Sequence, residues 1–479
     1  MACTDSNAPK VQQPPPPPPP PPQPAPASFG IRPALDTVFA GDLVKFVAER
    51  ADSTIDQWIV SDTSSARLLA HERGWAAVRI RTPGTVTIKA TRGADSGLAT
   101  LVILPPATPD PVTVGDWEAI SLGLLGAESG RATAIDDSGT IVGTLQVPAP
   151  INARTLGFIY KDGVIQKLWS SDNADYVPMA VSPSGKIAGL TGVSMGSQPL
   201  VWDNADAAPR LLGDADLITL VGITAQDAVL VSYGDRLDSG SGVYRAVLWK
   251  NDVPEALGSL NDSVAHSAEA RAVAWNAGGV IVGGSKVASV SEGDGDWTEV
   301  FHPFIWENGI MRDLGALAPA ACATTPNRNC SEGWAMGINR QGVIAGFSGV
   351  GQLWRAFRWE DGVMRDLDVF PGHSTLALAI NDRGQILGTV GTGYAPKDTV
   401  FLWHDDQTQI VTTTAVDRPH LGPNGEVAGT MLVAGEEHAY VWQAGVMTDL
   451  GPGEAVAINN RSEIVGRRGN MPTLWRRKS

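Results

Sequence analysis

The sequence predicts an all-β protein in which an eight-bladed β-propeller, with seven blades as the alternative, follows an N-terminal β-sandwich. Three observations support this fold class. The 479 residues include 53 glycines, 34 prolines and 15 tryptophans, a composition typical of chains with many turns and recurrent aromatics. Short segments with alternating apolar residues fill residues 29–104. From residue 117 onward a single pattern recurs to the C-terminus.

Residues 1–28 are interpreted as a tether. An unbroken proline run from Pro14 to Pro22 favours a stiff polyproline II stalk. The start, Met1-Ala2-Cys3-Thr4, resembles the processed end of a bacterial lipoprotein whose signal peptide has been replaced by Met1. This resemblance implies a lipid on Cys3 and an extracytoplasmic protein at the outer membrane or cell surface, or one that is secreted. An incidental cysteine near a cytosolic N-terminus is the alternative.

Residues 29–104 show the period-two apolar spacing of antiparallel strands, with turn residues between the runs. Three features follow one another: Ala40-Gly41-Asp42, then Trp58 with Ser61-Asp62, then the run Gly84 to Ile88. This order resembles bacterial Ig-like domains of the second group. The resemblance implies an Ig-like β-sandwich with Trp58 as its core tryptophan, in a role as spacer or adhesin module.

After a proline-rich linker at residues 105–116, one unit recurs over residues 117–479. Each unit has an apolar strand ending near Ile-Asn, a strand Ile-Val-Gly, a strand ending in an aromatic residue, and a strand ending Asp-Leu-Gly. The strand-ending aromatics occur at intervals of 33 to 57 residues, which fits one four-stranded blade each. They are Tyr160, Trp202, Trp249, Trp306, Trp359, Trp403, Trp442 and Trp475. We interpret them as packing residues, because a small sheet buries its faces only against neighbouring sheets.

The last unit lacks its fourth strand, since only four residues follow Trp475. The segment from Trp117 to Gly123 has the pattern of that missing strand. We therefore expect residues 117–123 to complete the last blade and close the ring, which removes both exposed edges.

The repeat resembles the HAF family of extracellular repeats, named for a His-Ala-Phe tripeptide before the tryptophan. The segments that carry this resemblance are His302-Pro-Phe-Ile-Trp306, His438-Ala-Tyr-Val-Trp442 and the variant Arg355-Ala-Phe-Arg-Trp359. The resemblance implies a propeller outside the cytoplasm but no particular chemistry. His302 and His438 occupy positions that hold arginine in other units, which indicates a structural role.

Variable connections are predicted to meet on one face of the ring. The longest are residues 144–156, 234–243, 284–301 and 316–333, and the last contains Cys322 and Cys330 at a spacing that a disulfide closes easily. A disulfide would suit an oxidising compartment. Because recognition is concentrated in variable loops on a rigid scaffold, we place the binding site on this face, near blades three to five.

No catalytic residues are predicted. The cluster Glu292, Asp294 and Asp296 provides oxygen ligands that could hold Ca²⁺, although solvated acidic loops are common. No cofactor is expected otherwise. The net charge of −15 argues against a nucleic-acid partner, and membrane contact is expected only through a lipid anchor.

The sequence therefore favours a monomeric, envelope-anchored or secreted, non-enzymatic binding or adhesion protein, with a glycan or an extracellular protein as partner. Two alternatives stay open. One is an extracellular hydrolase or lyase that degrades polysaccharide or peptide in the central pocket, because the fold excludes no enzyme. The other is a structural envelope protein.

Overall fold

The computed structural model describes most of the chain. The described ranges are 29–33, 37–49, 54–72, 74–148, 154–170, 175–192, 197–213, 217–236, 242–261, 269–293, 296–317, 332–391 and 398–478. Every regular element in these ranges is a β-strand, as the all-β prediction requires. Cys3, Cys322 and Cys330 lie outside the described residues, so the lipid and the disulfide stay predictions.

The N-terminal region is a sandwich of two four-stranded sheets around an apolar core. The strand order is β1–β3–β6–β5 in one sheet and β2–β8–β7–β4 in the other. Trp58 is 5% exposed, in line with its predicted core position, whereas the Ig-like assignment stays a prediction. The strands are β1 (Ile31–Arg32), β2 (Thr37–Phe39), β3 (Leu43–Ala48), β4 (Gln57–Val60), β5 (Ala66–Glu72), β6 (Trp75–Ile80), β7 (Gly84–Arg92) and β8 (Asp95–Leu104).

Two short strands follow the sandwich, β9 (Val112–Val114) and β10 (Trp117–Ser121). The sequence assigns residues 105–116 to a linker, but Val112 to Val114 pair antiparallel with β10. The irregular part of the connection therefore ends before residue 112.

The remainder of the described chain consists of consecutive groups of four antiparallel strands, which we call units 1 to 8. Units 1 to 5 are separate sheets, and units 6 to 8 are joined in one continuous path of strand pairs. Units 1 and 2 contain β11 (Ser129–Ile135), β12 (Ile141–Val147), β13 (Arg154–Lys161), β14 (Val164–Lys167), β15 (Tyr176–Val181), β16 (Ile187–Thr191), β17 (Pro199–Trp202) and β18 (Arg210–Leu211). Units 3 and 4 contain β19 (Leu217–Ile223), β20 (Val229–Arg236), β21 (Gly242–Lys250), β22 (Val253–Ala256), β23 (Ala270–Trp275), β24 (Ile281–Gly293), β25 (Asp296–Glu307) and β26 (Ile310–Asp313).

Units 5 and 6 contain β27 (Gly333–Ile338), β28 (Ile344–Val350), β29 (Leu353–Glu360), β30 (Val363–Asp366), β31 (Thr375–Ile380), β32 (Ile386–Val390), β33 (Asp398–His404) and β34 (Gln407–Ala415). Unit 7 contains β35 (His420–Leu421), β36 (Val427–Val433), β37 (Glu436–Gln443) and the first half of β38 (Val446–Ile458). Unit 8 contains the second half of β38, then β39 (Ile464–Arg468) and β40 (Met471–Arg477).

Unit 8 takes its fourth strand from the other end of the repeat region. Strand β10 pairs antiparallel with β40, with Trp117 opposite Arg477 and Ser121 opposite Thr473. This is the position that the sequence pattern predicts for the segment. The first strand of every unit also contacts the first strand of the next, and β38 of unit 8 contacts β11 of unit 1. The units therefore form a closed β-propeller with their first strands innermost.

The eight repeat aromatics share one structural position. Each lies on the third strand of its unit, opposite the isoleucine or valine that begins the second strand, as Trp202 lies opposite Ile187 and Trp475 opposite Ile464. Trp202 and Trp475 are fully buried. The other pairs are Tyr160–Ile141, Trp249–Val229, Trp306–Ile281, Trp359–Ile344, Trp403–Ile386 and Trp442–Val427.

The turns between the first and second strands lie on one side of the ring, which we call the turn face. Asparagines in these turns link successive units. The Asn276 Nδ2 donates to the Asn339 carbonyl at 3.0 Å, and the Asn339 Nδ2 donates to the Asn381 carbonyl at 3.3 Å. The Asn459 amide of unit 8 donates to the Asp136 carbonyl of unit 1 at 2.9 Å. This asparagine ladder explains why Ile-Asn recurs in the repeat.

One predicted loop is a pair of strands. Residues 284–293 and 296–301, in a segment expected to be a long connection, belong to strands β24 and β25, which pair from Ile281 and Trp306 out to Gly293 and Asp296. The hairpin extends beyond the four-stranded part of unit 4, and its backbone groups are satisfied by pairing with each other. The prediction of a loop was wrong here.

The sandwich is docked on units 1 and 2. Arg79 of β6 is 1% exposed, and its guanidinium donates to Asp206 Oδ1 at 2.7 Å and to three carbonyl oxygens, those of Gly41, Lys167 and Ala205. A Cβ on Gly41 would lie 2.1 Å from the Ile165 carbonyl oxygen, so only glycine allows this approach. No pattern in the sequence predicts this contact.

Candidate functional site

The candidate site lies on the side of the ring opposite the turn face, which we call the loop face. There the innermost strands begin, and the residues at their first aligned position differ from unit to unit. These residues are Arg131, Val177, Thr219, Arg271, Trp334, Leu376, Asp417 and Glu454. Around Arg271 and Trp334 several side chains of units 3 to 5 meet. The loop-face site consists of Tyr244, Glu269, Arg271, Lys286, Glu299, Phe301 and Trp334.

Aromatic rings form one part of the loop-face site. Trp334 of β27 stacks on Phe301 of β25, with ring centroids 5.3 Å apart and an interplanar angle of 26°. The indole also lies directly over Gly284, where a Cβ would be 2.5 Å from the ring. Glycine at this position therefore allows Trp334 to lie flat between units 4 and 5. Phe301 is 8% exposed and supports the indole from within the sheet.

Arg271 places a cation against these rings. The centre of its guanidinium lies 3.2 Å from the centroid of the Tyr244 ring and 5.9 Å from that of Trp334, so it is held by cation–π contacts with residues of units 3 and 5. Its ion pair with Glu269 is long, at 3.5 Å. Among the described residues, neither the buried Nε of Arg271 nor the buried Nε1 of Trp334 has a hydrogen-bond partner.

Two glutamates complete the loop-face site. Glu269 is 4% exposed, and Glu299 is its neighbouring carboxylate. Burial, together with the neighbouring Glu299, raises the pKa of Glu269 to about 7, although Arg271 and Lys286 oppose this rise. Glu299 also accepts a hydrogen bond from Lys286 Nζ at 2.5 Å and remains accessible to solvent.

This geometry is suited to binding a polar ligand. Stacked rings next to convergent polar groups are typical of recognition sites. Two buried N–H donors without partners also cost free energy until an acceptor is supplied.

No group of three or more histidine, cysteine, aspartate or glutamate side chains suited to a metal occurs in the part of the chain that the structure describes. Of the sequence-predicted calcium ligands, Glu292 and Asp296 belong, by their backbone, to strands β24 and β25 of the hairpin, near its tip. Asp294 and the three side chains lie outside the described residues, so the calcium site stays a prediction.

The repeat histidines have partners within their own units. His302 Nδ1 lies 2.8 Å from Asp313 Oδ2, and His438 Nδ1 lies 2.8 Å from Asp449 Oδ2. Arg355 makes the equivalent ion pair with Asp366, at 2.8 Å. The aspartates belong to the Asp-Leu motifs, so these pairs tie the third strand of a unit to the fourth.

The sequence analysis placed the binding site on the variable-loop face near blades three to five, which stays a prediction, and it named no residue of the loop-face site. Arg271 and Trp334 stand at the first aligned position of their strands, where the units differ most, while alanine or glycine recurs at the positions that follow. A variable position within a constant repeat is the signal that could have revealed them. Tyr244 and Glu299 lie in strands where the sequence shows no comparable variable position.

Comparisons with known proteins show similarity of fold at low identity. No protein-family model matches the sequence. No curated protein matches it either. The resemblances to HAF repeats and to bacterial Ig-like domains therefore stay predictions.

Among solved structures, the β-propeller domain of the Trilobed protease from Pyrococcus furiosus is 11% identical, with a TM-score of 0.43, over 68% of this chain and 96% of that one. YCF48 bound to D1 peptide is 14% identical, with a TM-score of 0.37, over 78% and 100% of the two chains. Sqt1 from Chaetomium thermophilum, bound to the N-terminus of ribosomal protein L10, is 10% identical, with a TM-score of 0.39, over 74% and 98%. At this level of similarity nothing about the function of this chain follows.

Proposed function

We propose that the protein is an extracytoplasmic, non-enzymatic binding protein whose loop-face site holds a segment of a glycan or of an extracellular protein. The observation that carries this proposal is the cluster of aromatic rings around the Arg271 guanidinium, in which Arg271 Nε and Trp334 Nε1 are buried without acceptors among the described residues. A ligand with carbonyl or hydroxyl oxygens would supply those acceptors and pack against the exposed part of the indole.

The organisation of the chain fits this role. We propose that the eight units are eight blades, that a lipid on Cys3 and the proline-rich segment tether the protein, and that the propeller faces outward. The sandwich is then part of a rigid body with units 1 and 2, because the buried Arg79 joins them. It positions the ring relative to the tether.

Arrays of glycans and of peptides, probed with the purified protein, test the proposal. Arg271→Lys keeps the charge but removes the Nε donor and the planar fork, and Trp334→Phe keeps a ring but removes the indole N–H. We expect each variant to weaken binding by about tenfold or more, since one lost hydrogen bond to a buried group contributes roughly 1.5 kcal/mol.

Arg312→Lys serves as the control, because Arg312 lies on β26 at the outer edge of unit 4, exposed and in a long 3.5 Å pair with Glu307. Binding that persists in both site variants would place the ligand elsewhere. If the protein binds neither to the glycan array nor to the peptide array, the result would favour a structural envelope protein.

One observation favours an enzyme as the second candidate. A carboxyl group whose pKa lies near 7, as for Glu269, has a value suited to general acid–base catalysis. Activity screens on polysaccharides and peptides address this directly. Turnover that is lost in Glu269→Gln, with binding retained, would replace the binding-only proposal by a hydrolase or lyase.

A further inference from the structure

The turn face has an open cavity between units 3 and 4. It has a volume of about 700 Å³, and its floor consists of buried apolar side chains from the core that these two units share. Its walls are the turns of both units on this face, and all of its lining residues are described. We call this cavity the turn-face groove. Among the residues that line it are Gln226, Lys250, Asn251, Trp275, Gly278 and Asn308.

At most junctions of the ring, a side chain ties the turn between the first two strands of one unit to the same turn of the next unit. Ser184 of unit 2 donates to Asp227 of unit 3 at 2.8 Å, and Arg383 of unit 6 donates to Asn424 of unit 7 at 2.6 Å. Gln226 stands at the position of Ser184 and Arg383 in unit 3. It is therefore the residue expected to join units 3 and 4.

The junction of units 3 and 4 lacks this link in the described part of the chain. The turn of unit 4 that forms the wall opposite Gln226 has Gly278 and Gly279, so it offers no side chain as a partner. Thr224, at the ladder position of unit 3, accepts hydrogen bonds from the N–H groups of Gln226 and Ala228 in its own turn. The gap between the two turns is therefore open to a ligand.

Trp275 is a second departure from the repeat at this junction. It ends the first strand of unit 4 and pairs with Ile281. Its half-buried indole lies over Gly222 of unit 3, where a Cβ would be 2.3 Å from the ring, so it crosses the junction and forms part of the groove wall. The other units have an aliphatic residue at this register: Ile135, Val181, Ile223, Ile338, Ile380, Leu421 and Ile458.

The polar groups at the rim of the groove are mainly side-chain amides. Asn251 and Asn308 stand in the turns before the fourth strands of units 3 and 4, and both are exposed, as is Gln226. None of these three amides is hydrogen-bonded to another described residue. Because an amide both donates and accepts hydrogen bonds, the rim offers both functions to a ligand.

The turn-face groove carries no net charge. The charged side chains that line it are Lys250 and Glu255, and they form an ion pair in which Nζ and Oε2 lie 2.7 Å apart. A charged ligand would therefore find no unpaired counter-charge in the groove, which favours a neutral ligand.

Hydroxyl groups match this rim better than a peptide does. A peptide that adds to a sheet needs a free strand edge, whereas the walls here are turns whose N–H groups, such as those of Asp227 and Gly279, are bonded within the turns. A polyproline segment, which docks on aromatic grooves, has no N–H groups to donate to the amide oxygens. Sugar hydroxyls both donate and accept, and the C–H face of a pyranose ring packs on an aromatic ring.

We propose that the turn-face groove binds a neutral pyranose sugar, with Trp275 against the apolar face of the sugar ring and the amides of Gln226, Asn251 and Asn308 around its hydroxyl groups. This site lies on the opposite face of the propeller from the loop-face site, and neither depends on the other.

Ligand-observed NMR titrations of the purified protein with D-glucose, D-galactose, D-mannose and N-acetyl-D-glucosamine test the proposal. We expect saturable binding of at least one of these neutral sugars. Trp275→Ile introduces the residue that most other units carry and should raise the Kd by about tenfold, because the aromatic contact is lost. Gly278→Asn gives Gln226 a partner, as Asn424 does for Arg383, and should raise the Kd by at least about tenfold because the groove is filled.

Two further variants locate the sugar. Gln226→Ala should raise the Kd by about threefold through the loss of one neutral hydrogen bond, whereas Gln341→Ala, at the equivalent position of unit 5, is the matched control and should leave the Kd unchanged. Trp334→Phe, in the loop-face site, should also leave it unchanged. D-glucuronate should bind no more tightly than the neutral sugars.

The proposal is overturned if none of the four neutral sugars binds, or if D-glucuronate binds more tightly than all of them. It is also overturned if the Kd is the same in the folded Trp275→Ile and Gly278→Asn variants as in the wild type. Loss of sugar binding in Trp334→Phe would place the sugar in the loop-face site instead. A nonaproline peptide that binds in the groove while the sugars do not would make the groove a docking site for a segment such as Pro14–Pro22, which also contradicts the proposal.

Discussion

Arg79, where the sandwich meets the ring, and Arg271, on the loop face, are both arginines within interfaces, but their surroundings differ. The guanidinium of Arg79 is 1% exposed and donates to a carboxylate and to three carbonyls. The guanidinium of Arg271 lies on an aromatic ring, has one long ion pair, and keeps its Nε buried without an acceptor. Among the described residues, every nitrogen of the Arg79 guanidinium has a hydrogen-bond partner, whereas the Nε of Arg271 has none.

The comparison separates side chains that stabilise the fold, such as Arg79, from side chains with a hydrogen-bond donor that lacks an acceptor, such as Arg271. A buried charge with all its donors satisfied is costly to disturb, because each partner loses its own hydrogen bond as well. A buried donor left without an acceptor lowers stability, and a ligand that supplies the acceptor removes this cost. Stability measurements should therefore respond to Arg79, and binding measurements to Arg271.

Arg79→Met is expected to have the largest effect on stability. It removes the guanidinium donor from Asp206 and from three carbonyl oxygens, of which, among the described residues, only that of Gly41 keeps a second donor, the Lys167 N–H, so the free energy of unfolding should fall by about 3–5 kcal/mol. Urea denaturation measures this loss. Arg32→Met, which breaks an exposed pair with Glu49, is the control and should change stability by less than about 1 kcal/mol. Equal effects of the two substitutions would show that the sandwich does not depend on its contact with the ring.

The pH dependence of stability is expected to show the next largest effect, through Glu269. Its pKa is raised from 4.5 to about 7 in the folded chain, so between these values the folded state binds more protons than the unfolded state. Stability should therefore decrease as the pH rises from 4.5 to 7, by on the order of 2 kcal/mol. Urea denaturation at pH 5 and pH 8 measures this change.

Glu269→Gln should remove most of this decrease, whereas Glu307→Gln, at an exposed carboxylate of the same unit, should preserve it. A pH profile that is the same in Glu269→Gln and in the wild type would mean that Glu269 ionises normally.

A smaller effect, an increase in stability, is expected from supplying the side-chain donor that the asparagine ladder lacks in unit 1. Asp136 stands at the ladder position in unit 1, and its Oδ2 is buried without a partner because a carboxylate has no N–H to donate to unit 2. Asp136→Asn supplies that donor and should raise the free energy of unfolding by about 1 kcal/mol. The reverse change in a complete link, Asn339→Asp, should lower it. A destabilised Asp136→Asn would indicate that the carboxylate has a partner outside the chain.

The repeat could be predicted because its packing is local and copied. The tryptophan-ending strands and the segment at Trp117 can be recognised from the sequence pattern, because every unit must bury the same faces. The β24–β25 hairpin was missed because, beyond the ring, its strands have no sheet to pack on and so lack a clear apolar alternation. Glu269, Arg271 and Trp334 were missed because only the packing of successive units brings the side chains of units 3 to 5 together. Arg79 was missed because its partners belong to another domain.

The indole N–H of Trp334 provides the most direct test of the claim that the cluster around Arg271 and Trp334 is the ligand site. Its NMR signal, assigned with the Trp334→Phe variant, is followed while a ligand from the arrays is added. The Trp202 indole, which donates to the Trp169 carbonyl at 3.0 Å, is the internal reference. We expect the Trp334 signal to shift and its hydrogen exchange to slow, with Trp202 unchanged. A bound ligand that leaves the Trp334 signal where it was would contradict the account.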